Sequence, residues 1–184
     1  GNHDQIDYRG VEHALTPFSN AYRIHSPVPH NNELDQQQYY PGPLILSHPT
    51  NFMNAFFIPH VRDNAMMKEI LSSQHAARSS ALFVHADVKG ASMNDLIKSR
   101  NGLSTSIFPS EKQVYSGHFH KPHIVTASGG STIRYVGSPY QISSSEEGQS
   151  KSLLLVDSQR GWECIEEIPL DIGCRFYRMS SINE

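Results

Sequence analysis

Cysteine and tryptophan are nearly missing from this chain: Cys164, Cys174 and Trp162 are all there is among 184 residues. Two cysteines are too few for a disulfide framework, so the expected setting is an intracellular, reducing compartment. No run approaches the ~18 consecutive apolar residues of a membrane span, and the start carries no signal-peptide pattern. Excess charge of either sign is also lacking. Fifteen Lys and Arg against 18 Asp and Glu leave a formal net charge of −3, which excludes a global basic field, so any polyanion has to be met by local charge. No internal repeat is found. What remains is a chain with 38% hydrophobic residues and 11 histidines, enough apolar content for one globular domain with its own core.

Residues 19–43 are polar and carry Pro27, Pro29, Pro41, Pro43 and the run Gln36-Gln37-Gln38, which predicts a long surface loop. Leu44-Ile45-Leu46 and Phe56-Phe57-Ile58 are short apolar runs expected as buried strands. Asp63 is the expected N-cap of a helix in which Met66, Met67, Ile70 and Leu71 recur at helical spacing as far as Gln74. Ala81 to Val84 predicts a strand ending at His85, Met93 to Ile97 a short helix, and Val114-Tyr115-Ser116 a strand leading into a turn. After Ile133 the texture becomes strands alone: Ile133 to Val136, Leu153 to Val156, Glu163 to Ile168 and Cys174 to Met179. Mixed α/β texture followed by consecutive strands suggests two packed sheets with helices outside.

Three motifs carry chemistry: Gly1-Asn2-His3-Asp4, a strand ending at His85, and Gly117-His118-Phe119-His120. Imidazole, carboxylate and amide oxygen are ligands that Mn²⁺, Fe or Zn²⁺ accept. Two divalent ions ~3.5–4 Å apart can activate a nucleophile and neutralise charge on a phosphoryl group. On a strand, His118 and His120 would face one side; in a tight turn they can diverge toward two ions.

In this order the motifs resemble the last three metal-binding motifs of the calcineurin-like metallophosphoesterases. The resemblance implies an α/β domain of two packed mixed sheets flanked by helices, a four-layer sandwich. It also implies two metal ions, Mn²⁺ first, with Fe or Zn²⁺ as alternatives. Asn2, His85 and His118 would then hold the second metal and His120 would serve the first. His3 would protonate the leaving oxygen and Asp4 would orient it. The family places an Asp-x-His and a Gly-Asp-x-x-Asp motif upstream of GNHD, and neither occurs in these residues. The expectation is therefore the C-terminal part of such a domain, spanning residues 1–184, without its first strands and inactive alone.

Tyr135-Val136-Gly137-Ser138-Pro139-Tyr140-Gln141, Ser145-Glu146 and Lys151-Ser152-Leu153-Leu154-Leu155-Val156-Asp157 are similar to the SbcD nuclease subunit, its meiotic-recombination relatives and the recombination endonucleases of large phages. That similarity implies DNA as substrate, an SbcC-type coiled-coil ATPase as partner, and homodimerisation through segments not in this chain. For DNA contact the candidates are Lys121 and Arg134 as local positive charge, Ser138 as a phosphate donor and Tyr140 as a stacking surface. Gly137 permits close backbone approach. Two other readings stay open: a phosphomonoesterase or cyclic-nucleotide phosphodiesterase of the same superfamily, and a non-catalytic interaction module. The remaining histidines, His60, His75 and His123 among them, read as structural, with His123 close enough to GHFH to line the cleft.

Overall fold

The computed structural model describes residues 49–126 and 131–179. Asn2, His3, Asp4, the 19–43 loop and the Leu44 to Leu46 run lie outside the described residues.

Eight strands, two α-helices and three short 3-10 helices are found among the described residues. β1 (Thr50–Phe52), β2 (Ala55–Phe57), β3 (Ala81–His85), β4 (Gln113–Gly117), β5 (His123–Thr126) and β6 (Thr132–Tyr135) form one mixed sheet in the order β1-β2-β3-β4-β6-β5. β2, β3, β4 and β6 run parallel, and β1 and β5 close the two edges antiparallel. β7 (Lys151–Asp157) and β8 (Glu163–Leu170) make a separate two-stranded antiparallel sheet with a register shift between Leu155 and Val156. The α/β class agrees with the sequence reading. Among the described residues the second sheet is a plain hairpin, where a second mixed sheet was expected.

The helical segment between β2 and β3 begins as the sequence predicts. Asp63 caps α1 (Asn64–Leu71), its carboxylate accepting the amides of Ala65 and Met66 at 2.7 and 3.3 Å. The prediction of one helix to Gln74 fails in detail, because Ser72 and Ser73 interrupt it. Ser73 then caps α2 (Gln74–Arg78), accepting the Ala76 amide at 3.3 Å, as serine does when its hydroxyl competes for backbone groups.

Alternation along β3 and its neighbours sorts side chains onto two faces. Phe56, Leu82, Val84, Val114, Ile133 and Tyr135 join Met67, Leu71 and Ala76 of the helices in one buried cluster. On the opposite face, Phe57, Phe83 and Tyr115 stand in register across β2, β3 and β4. Phe57 and Phe83 stack at 4.5 Å, Phe83 and Tyr115 at 5.1 Å, and Trp162 meets Phe83 edge-on at 5.2 Å. Trp162 sits at the turn between β7 and β8; its indole N–H donates to the Met53 carbonyl at 2.9 Å, and its own carbonyl accepts the Tyr115 hydroxyl at 2.6 Å. Arg134 adds an ion pair to Glu167 of β8. These contacts tie the hairpin to the main sheet.

Two predicted elements are corrected. Met93 to Ile97 is not a helix: the Asn94 side chain accepts the amides of Leu96 and Ile97 at 2.9 and 2.8 Å, forming a turn closed by a Ser92–Lys98 bridge. Cys174 to Met179 joins no ladder, because side chains take its amides, Gln141 accepting from Phe176 and Glu147 from Arg178. The β1–β2 hairpin was not anticipated. Met53 and Asn54 take φ of 47° and 61°, the left-handed pair of a type I′ turn, in residues without the usual Asn-Gly signature.

Tyr135 locks β6 to the chain leaving β3. Its buried hydroxyl accepts the Val88 amide at 3.0 Å and donates to the Ala86 carbonyl at 2.8 Å. Tyr135→Phe strands the Val88 amide and leaves the Ala86 carbonyl only the Ser116 hydroxyl at 3.4 Å, and should lower unfolding free energy by roughly 1–3 kcal/mol in denaturant titration.

Candidate metal centre

Parallel pairing brings the carboxyl ends of β3 and β4 together, with His85 opposite Gly117. Such ends are where open α/β sheets place ligands. His118 follows with φ of +89°, a conformation costly for a residue with a Cβ and one that concentrates at functional sites. The twist turns the chain out of the strand: Phe119 drops into the core against Tyr135 at 5.2 Å, and the rings of His85 and His118 come within 5.5 Å edge to face. Gly117 is required here, since a Cβ on it would sit 2.7 Å from His85 Nδ1.

A third imidazole joins them. The His60 ring lies 5.5 Å from that of His85 and parallel to that of His118 at 6.3 Å, and its Nδ1 is 3.1 Å from the His85 carbonyl. Sequence reasoning passed over His60 because it lies outside the recognised motifs. Its position immediately beyond the apolar β2 run was the one available signal.

His120 diverges from His118, as a tight turn permits. Glu146 Oε1 lies 3.3 Å from its Nδ1, and Glu146 Oε2 pairs with the Lys151 ammonium at 2.7 Å. Both charged residues are nearly sealed from solvent, Glu146 at 4% exposure and Lys151 at 5%. Lys151 also donates to the His120 carbonyl at 2.8 Å, Ser138 Oγ at 3.0 Å and Gln149 Oε1 at 3.1 Å. Burial alone would push the Glu146 carboxyl up. The hydrogen bond and charge of Lys151, aided by the Ser138 hydroxyl and the Ile142 amide, outweigh burial and hold it below the usual carboxylate range.

The candidate substrate residues are distributed differently from expectation. The Ser138 hydroxyl is turned inward, 2.8 Å from the Tyr140 carbonyl and 3.1 Å from Glu146 Oε2. Gly137 does permit close approach: its φ is +78°, and a Cβ would fall 2.8 Å from the His120 carbonyl. Lys121 is ion-paired with Asp95 and Arg134 with Glu167. Tyr140 remains partly exposed. His123 packs under the turn, stacked on Tyr135 at 4.6 Å, its Nε2 accepting the Ser92 amide at 2.9 Å and its Nδ1 donating to the Lys121 carbonyl at 2.7 Å. Burial lowers its pKa, in keeping with a neutral ring whose two nitrogens are both engaged.

Imidazole rings such as those of His60, His85 and His118 are donors that a divalent ion accepts. Among the described residues no group of three His, Cys, Asp or Glu is arranged to hold one. A centre here therefore needs a donor from elsewhere, and Asn2, which the family resemblance supplies, lies outside the described residues. No helix among the described residues is long and apolar enough to cross a membrane.

No protein-family model matches the chain. Over 88 residues, 47% of this chain, it is 30% identical to exonuclease subunit 1 of Enterobacteria phage T4. The matched region spans 24% of that relative, so the similarity is to part of a phage nuclease subunit.

Proposed function

We propose that this chain is part of a metal-dependent phosphodiesterase acting on DNA, as an exonuclease or endonuclease in repair or recombination. The convergence of His85 and His118 at the carboxyl ends of two adjacent parallel strands supports the reading most directly. Similarity to an exonuclease subunit supports the substrate class. In this reading His85 and His118, with Asn2, hold one divalent ion, Mn²⁺ first, and His120 contributes to a second. Bound ions would activate water and neutralise charge on the phosphoryl oxygens. His3 holds the proton destined for the leaving oxygen and Asp4 orients its ring, roles suited to a group titrating near neutrality. The word subunit in the relative's name fits an SbcC-type coiled-coil ATPase as partner.

The test is turnover by the full-length protein with Mn²⁺, and with EDTA as control, against a labelled oligonucleotide, a nitrophenyl phosphate monoester and a cyclic nucleotide. EDTA-sensitive cleavage of the oligonucleotide is expected. Turnover of either small substrate with an intact oligonucleotide overturns the DNA reading in favour of a phosphomonoesterase or cyclic-nucleotide phosphodiesterase.

Lys121 and Arg134 supply the basic charge in this reading. Their pairs with Asp95 and Glu167 are partly exposed and so worth little, about 0–1 kcal/mol each, and a phosphate can displace them. Replacing both with Gln should weaken DNA binding regardless of sequence and flatten its salt dependence by about one unit of slope per lost contact. Unchanged slope in a fluorescence-anisotropy salt series would remove them from the interface.

A further inference from the structure

The chain leaving β3 folds back on itself as a finger over residues 86–103. Its base is buried and laddered: the Lys89 and Leu103 amides donate to the Leu103 and Asp87 carbonyls at 2.9 and 2.8 Å, and the Ser99 amide to the Ala91 carbonyl at 2.8 Å. Val88 and Ala91 are fully buried there. The tip is the opposite. Met93, Leu96 and Ile97 are 50%, 94% and 54% exposed on the turn that Asn94 and the Ser92–Lys98 bridge hold shut. A backbone pinned at base and tip holds these side chains out in water, and clustered apolar groups so placed mark a contact surface.

The finger stands against the segment that carries His118 and His120. The Ser92 amide donates to His123 Nε2 at 2.9 Å, and Asp95 pairs with Lys121. Around the tip the charge is positive. Lys89, Lys98 and Arg100 are exposed and make no ion pair among the described residues, while Asp95, the one exposed acid of the finger, is taken by Lys121. Lys98 and Lys121 both stand close enough to His123 to lower its pKa. In a chain of net charge −3 this is a local basic cluster built around an apolar point. A polyanion with flat apolar faces complements both features, as a nucleic acid does through its phosphates and bases.

We propose that the finger is a wedge for the end of a DNA duplex: Leu96 and Ile97 enter between the terminal bases, Lys89, Lys98 and Arg100 meet the phosphates, and one freed strand passes toward His118. Leu and Ile are among the side chains that proteins insert between base steps, where apolar contact offsets the cost of unstacking. DNA as the ligand rests on the proposed function; the exposed tip and its cations do not.

The experiment compares full-length wild type, Leu96→Ser and Lys98→Gln on a blunt duplex carrying 2-aminopurine in its terminal pair and on the corresponding single strand. At saturating protein, with EDTA to stop turnover, wild type is expected to raise the 2-aminopurine emission of the duplex, and Leu96→Ser to bind without that rise. With Mn²⁺, Leu96→Ser should lower cleavage of the duplex roughly 10–100-fold more than cleavage of the single strand, because only the duplex has terminal stacking to break. Lys98→Gln should weaken binding to both forms alike. Leu96 packs against almost nothing, so its replacement removes a ligand contact rather than core; Ile97→Ser is read in the same way should Leu96→Ser fold poorly. Flat emission with wild type overturns the wedge. So do equal losses on duplex and single strand in Leu96→Ser, and a smaller assembly of that variant in sedimentation would then make the tip a protein contact. If wild type cleaves neither oligonucleotide, the proposed function itself fails and the wedge with it.

Discussion

His85→Ala in the full-length protein is expected to lose both bound divalent metal and DNA cleavage, whereas His3→Ala should keep the metal and slow turnover by roughly 10²–10⁴-fold, the range for a missing general acid. The contrast follows from where the two residues stand in the proposed site. His85 ends β3 directly opposite Gly117, with the His118 and His60 rings around it, so its removal takes a donor from the middle of the imidazole group. Calorimetry with Mn²⁺ measures the first effect and oligonucleotide turnover the second. If His3→Ala emptied the site while His85→Ala left it filled, the two roles would be exchanged.

Leu82→Ala and Phe83→Ala, adjacent on β3, should behave differently because they face opposite sides of the sheet. Leu82 is 0% exposed, within the cluster that joins sheet to helices. Truncating it leaves a cavity and should cost about 2–5 kcal/mol in denaturant unfolding, a large share of the ~5–15 kcal/mol that holds a typical domain together. Phe83 instead lies 5.2 Å from Trp162, the only tryptophan in the chain. Phe83→Ala is therefore expected to shift native tryptophan emission, and Leu82→Ala to leave it unchanged. Equal emission shifts in both variants would contradict the assignment of the two faces.

Much of the local structure was legible because it depends on neighbours in sequence. Asp63 announces a helix start through its own reach to the amides two and three residues on, and the apolar run at Ala81 to Val84 has strand texture whatever it pairs with. Errors fell where a side chain intercepted backbone groups. Asn94 made a turn of a segment with helical composition, and Ser73 split a helix that periodicity alone would continue. The edge strands β1 and β5, of three and four residues, are too short to carry a periodic signal; pairing with β2 and β6 defines them.

By itself the sequence determined the residue types that could hold metal and their order along the chain, because ligand chemistry belongs to the side chain and motif spacing to the chain. It also determined that Gly117 directly precedes His118. Only the tertiary structure decided which groups meet. Parallel pairing of β3 with β4 set His85 against Gly117, the +89° φ of His118 turned its neighbours apart, and His60 entered from the end of β2. The fold likewise turned Ser138 from a candidate phosphate donor into part of an inward-facing network, and brought Glu146 and Lys151 behind His120. Those contacts join residues distant in sequence, and burial supplies the low-dielectric setting in which the Glu146 carboxylate and the Lys151 ammonium hold a fixed arrangement.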